Sequence, residues 1–98
     1  MPIEAPHVRL WTAGRVRHPD APLLANELFV SVLGAGADVI EMTLSTAGPR
    51  IRITARGPDP IPLLHSHGPA WRIITGLAHQ RGLTTDECGL WAQLGHRG

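Results

Sequence analysis

The chain has 98 residues, 43% of them hydrophobic, and a formal net charge of +1. That length holds one core and therefore one domain, 1–98, and the apolar content excludes disorder as the global state. Near-neutrality removes the broad basic field that drives non-specific nucleic-acid binding, so nucleic acid is not an expected partner.

In chain order, His7 to Thr12 alternates polar and apolar residues and predicts a half-buried strand. Ala13 to Pro19 is a short basic connector carrying Arg15, Arg17 and His18. Asp20 is suited to cap a helix, with Pro22 in the first turn, where a missing N–H costs nothing. Leu23 to Leu33 reads as that helix, interrupted only by Asn26, Glu27 and Ser31, and Gly34 and Gly36 stop it. Val39 to Ser45 and Arg50 to Arg56 alternate on either side of Thr46-Ala47-Gly48-Pro49, which is the pattern of a β-hairpin. Gly57 to His67 is rich in proline and predicts a loop. A second helix is expected from Ala70 to Arg81, with Ile73, Ile74, Leu77 and Ala78 inward and Gly82 as the stop. A short strand at Leu83-Thr84, a turn at Asp86 to Gly89 and a last strand from Leu90 to Leu94 complete the chain.

The predicted order is β-α-β-β-α-β-β. It implies an α/β (α+β) two-layer sandwich whose sheet is mixed but mostly antiparallel, with two helices on one face. The single cysteine, Cys88, allows no intrachain disulfide. The first ten residues lack an apolar signal core, and no run is long enough to span a bilayer, so a cytoplasmic protein with no membrane partner is expected.

This order and its landmarks resemble the GHKL or Bergerat-fold ATPases, closest to the short anti-sigma-factor serine kinase-like proteins of actinobacteria. The likeness covers about residues 19–94. In that family one helix carries Glu-x-x-x-Asn, the Glu acting as general base and the Asn holding Mg²⁺. The matching segment is Glu27-Leu28-Phe29-Val30-Ser31, which keeps the acid and replaces the asparagine by serine. Positions i and i+4 share a helix face, so Glu27 and Ser31 are placed to act together. The family's adenine-reading Asp falls near Ala55, with Asp59 four residues on, and its Gly-x-Gly becomes Gly68-Pro69-Ala70. Any nucleotide site implied by the likeness would therefore use Glu27, Ser31, Asp59 and Gly68 for Mg·ATP.

With so few of the family's ligand groups kept, the resemblance implies no catalytic residue, Glu27 remaining as a vestigial candidate. No cofactor and no metal are expected, and the enzyme reading leans to no. What it implies instead is a pseudo-ATPase that regulates bacterial transcription or development through protein contacts. The alternative is a Mg·ATP-binding protein or serine kinase with rearranged site residues. The likeness also implies a Bergerat fold lacking one helix, because only Ala13 to Pro19 separates the first strand from the Glu27 helix. A sheet with too few helices would leave apolar surface bare, which points to a homodimer or an obligate protein partner.

Arg50, Arg52 and Arg56 share one strand face and are the candidates for an anionic partner, with Arg9, Arg15 and Arg17 as extensions. The plainer reading is a charged, solvated hairpin edge that resists aggregation. Trp71, at the start of the second helix and off its apolar stripe, is the expected exposed aromatic contact. His65 and His67 are too few to make a metal site, and a solvated loop accounts for them.

Overall fold

In a computed structural model, residues 5–34, 36, 39–61 and 69–95 are described. Three helices and four strands follow in the order α1 (Ala5–Ala13), α2 (Ala21–Gly34), β1 (Glu41–Ala47), β2 (Arg50–Arg56), α3 (Pro69–Leu77), β3 (Gln80–Leu83) and β4 (Gly89–Leu94). The strands form one antiparallel sheet in the order β1-β2-β4-β3. This is an α+β domain with a four-stranded antiparallel sheet.

The first expected strand is a helix. In α1 the buried residues Val8 and Thr12 lie four apart, and the Thr12 hydroxyl donates to the Val8 carbonyl at 2.8 Å. Leu10, which a strand would have placed beside Val8, is 71% exposed. Six alternating residues fit either period, and packing on α2 decided for the helical one. Among the described residues the helix layer thus has three helices where two were expected, and the premise of a missing helix falls.

Helix α2 begins where Asp20 was expected to cap it: the Asp20 carbonyl accepts the first helical bond, from Leu24 N–H at 3.0 Å. Ala21, Leu24, Ala25, Leu28, Phe29 and Val32 are buried, and α2 lies against β2 and β4, with α1 and α3 packed against it. The core is formed between these residues and Ile51, Ile53, Ala55, Leu90, Ala92 and Leu94 from the helix-facing side of the sheet. Leu23, Val30 and Leu33 are left exposed on the outer side of α2. The apolar surface expected from a missing helix is present for a different reason: α2 is apolar nearly all round, and only one side of it can face the sheet.

The expected hairpin is present with shifted bounds: Thr46 and Ala47, expected in the turn, pair with Ile51 and Arg50, so β1 runs to Ala47 and the turn is Gly48-Pro49 alone, in register from Ala47 opposite Arg50 to Glu41 opposite Arg56. Gly48 has φ of 59°. A positive φ followed by the fixed φ of Pro49 matches the two central positions of a type II′ turn, whose twist suits the strands it joins. Helix α3 stops at Leu77 and not at Arg81, so Gly82 lies within β3. Gln80 to Leu83 pairs with β4 and extends the sheet, a gain that a continued helix would have forfeited. No described helix is long and apolar enough to cross a membrane.

Candidate functional site on the open face of the sheet

Strand alternation sends Ile51, Ile53 and Ala55 toward the helices and Arg50, Arg52, Thr54 and Arg56 to the other face. No described helix covers that face. The register sets Arg52 between Ser45 of β1 and Gln93 of β4, and Thr54 between Thr43 and Trp91. Gln80 and Gly82 of β3 continue the rows beside Gln93 and Trp91.

Trp91 is fixed by its neighbours. Its indole N–H donates to the Leu83 carbonyl at 3.1 Å, and the ring lies over Gly82, where a Cβ would approach it to 3.2 Å. The Arg52 guanidinium sits 4.3 Å from the ring centroid and donates to Gln93 Oε1 at 3.3 Å. Arg52 therefore has an aromatic and an amide neighbour but no carboxylate, and Arg50 has no ion pair among the described residues. A hollow of about 370 Å³ beside them is lined by Ser45, Thr46, Ala47, Arg50, Arg52 and Gln93. A second, of about 280 Å³, adjoins it through Arg50 and Gln93 and reaches His79 and Gln80. Guanidinium, amide and hydroxyl groups converge here, and the arrangement suits carboxylate or another oxyanion.

Arg56 differs from the other two arginines. It forms an ion pair with Asp86 in the β3–β4 turn. That carboxylate also accepts from the Thr84 hydroxyl at 2.6 Å and from Cys88 N–H at 3.0 Å. These donors hold the Asp86 carboxyl well below the usual carboxylate range, the Arg56 bond contributing most, then Thr84 and then Cys88. The charge of Arg56 is thereby matched within the chain, and Arg50 and Arg52 remain as the open pair.

The arginines of the first segment do not extend this row. Arg9 belongs to α1 in the helix layer, and Arg15 lies 5.1 Å over Trp11. Trp71 is part of α3, with its side chain outside the described residues. Gly68, His65 and His67 also lie outside them. Glu27 is half-buried on α2, and Ser31, one turn on, is buried with its hydroxyl oxygen unpartnered. Asp59 is exposed in the loop after β2. The two hollows on the sheet face, and a third of about 290 Å³ between the start of α2 and the end of α3, are lined by none of these three. Among the described residues no group of three or more His, Cys, Asp or Glu is placed to hold a metal.

Asp86, Gln93 and Trp91 were missed as site residues in the sequence. The inward alternation of Leu90, Ala92 and Leu94 does place Trp91 and Gln93 on the opposite face. That β4 lies next to β2 is not written locally, and so neither was their meeting with Arg52. Compared with known proteins, the chain matches no family model, no curated protein and no solved structure.

Proposed function

We propose that this chain is a non-catalytic regulatory interaction module that takes an acidic protein partner on the open face of its sheet. One observation carries the reading: among the described residues Arg50, at the turn end of β2, and Arg52, further along the same strand, stand exposed on that face beside a hollow, with no carboxylate of their own. A guanidinium pair left without an internal acid is a ready donor to an external one. The family likeness supplies the rest of the proposal: descent from an anti-sigma kinase-like ATPase of Bergerat fold, and a role in bacterial transcriptional or developmental control. Exposed Leu23, Val30 and Leu33 on α2 support self-association as the homodimeric form of the same module.

The test is titration of the protein with a glutamate-rich peptide, followed by calorimetry, for the native chain and for Arg50→Gln/Arg52→Gln. Binding that weakens with added salt and is lost in the double variant supports the proposal. Equal binding by both proteins overturns it. Light scattering in the same buffer reads the mass, a dimer being expected.

A second reading, Mg·ATP binding, is favoured by the unpartnered Ser31 hydroxyl one helical turn from Glu27. A ligand that binds only the native state raises the melting temperature, by about 2.7 kcal/mol of stabilisation at a hundredfold excess over its dissociation constant. A clear shift in Mg·ATP that disappears in Glu27→Ala establishes this second reading; no shift removes it.

A further inference from the structure

We infer that the acidic partner binds as an added strand along the free edge of β1, its alternate carboxylates reaching across the short side chains of β1 to Arg50 and Arg52. The inference rests on the acidic-partner reading above and specifies how that partner is held. β1 pairs with β2 on one side and has no strand on the other among the described residues. Of its seven residues, Glu41 to Ala47, only Glu41 at one end is charged and none is Pro, so the stretch from Met42 to Ala47 lacks the residues that usually protect an edge. Because Ala47 and Arg50 flank a two-residue turn, they form a hydrogen-bonded pair. Pairs alternate from there, so Ala47, Ser45, Thr43 and Glu41 direct their backbone groups to β2. Thr46, Leu44 and Met42 direct theirs outward, toward an incoming chain.

Charge complementarity decides what that chain is. On the open face β1 presents Glu41, Thr43, Ser45 and Ala47; the small Ser45 and Ala47 stand between the edge and Arg52 and Arg50, Glu41 lies at the far end opposite Arg56, and the hollow beside Ser45, Thr46 and Ala47 opens onto Arg50 and Arg52. An added strand would lie two strand spacings, about 10 Å, from β2. Arg50, which borders that hollow, and an extended glutamate together bridge that gap, whereas Arg52 would have to turn from Trp91 and Gln93 of β4 to meet a second one. Since side chains alternate in facing, only every second residue of the partner would carry an acid toward the arginines. Main-chain bonds to the edge supply affinity, and the carboxylates supply register and choice of partner.

The probe is a heptapeptide with glutamate at alternate positions and valine between, titrated against the intact protein. Three changes are compared: Arg50→Gln/Arg52→Gln, Thr46→Pro, and the peptide with its alternate amides N-methylated along one edge or the other. Thr46→Pro removes an outward N–H and leaves the β1–β2 ladder intact. Strand addition predicts at least about a tenfold loss for Thr46→Pro and for methylation on one edge only, with methylation on the other edge tolerated. Loss in the arginine variant without loss from Thr46→Pro or from either methylation overturns strand addition and leaves the acidic-partner reading standing. No loss in the arginine variant overturns both. Should Thr46→Pro fail to fold by circular dichroism, the methylated peptides on the native chain decide alone. Stronger binding of a single-stranded oligonucleotide than of the glutamate peptide overturns the choice of a protein partner.

Discussion

Leu28→Ala and Leu33→Ala make the same chemical change on the same helix and should have very different consequences. Leu28 is fully buried in the core, whereas Leu33 is 46% exposed on the outer side. Truncating a buried leucine removes its transfer free energy and leaves a cavity, together about 2–5 kcal/mol. Leu33 loses only the part of its surface already out of water and leaves no enclosed void, so its cost is about 1 kcal/mol or less. A domain of this length is stable by about 5–15 kcal/mol, so the first change removes a large share of the whole. At about 4–8 °C per kcal/mol, Leu28→Ala should lower Tm by roughly 8–40 °C and Leu33→Ala by less than about 8 °C. Thermal unfolding followed by far-ultraviolet circular dichroism gives the two Tm shifts, and urea unfolding gives the two free-energy losses, provided the slope with denaturant is the same in both variants. Equal losses, or a larger loss for Leu33, would mean that α2 packs with its other side inward, and the assignment of the core would fail.

Three further outcomes follow from particular contacts. The Asp86 carboxyl is held below its unfolded value, so its contribution to stability is complete above about pH 5 and fades as pH falls below about 4; Asp86→Asn should flatten that acid limb in a pH series of urea midpoints, and an unchanged limb would remove the Arg56 pair as a source of stability. Gly82→Val places side-chain atoms where the Trp91 ring lies, so the ring must move; near-ultraviolet circular dichroism should lose tryptophan ellipticity, and an unaltered spectrum would contradict the ring's position. Gly48→Ala puts a Cβ on a residue at φ 59° and should cost about 1–2 kcal/mol, read by chemical denaturation, whereas Gly48→Asn, better suited to positive φ, should cost less; the reverse order would refute the turn assignment.

Local rules made the hairpin legible in the sequence. Alternation over Arg50 to Arg56 fixed which side chains face together, and Gly48-Pro49 supplied a turn whose φ values need no distant support. Asp20 and the glycines near position 34 likewise bounded α2 from nearby backbone chemistry alone. The inward side of α2 was not legible, because Leu23, Leu24, Leu28, Val30, Val32 and Leu33 surround the helix and give periodicity little to choose between. The state of residues 7–12 was equally open, and burial of Val8 and Thr12 as α1 packs on α2 settled it as helix. The candidate site divides in the same way. The sequence alone determined that Arg50, Arg52 and Arg56 share a face, since that follows from the two-residue repeat of one strand. Tertiary structure decided that Arg56 meets Asp86 thirty positions away, and that Arg52 lies on Trp91 and beside Gln93. Those pairings depend on β4 lying next to β2, and strand order is fixed by burial of the whole core, which no local stretch of sequence contains.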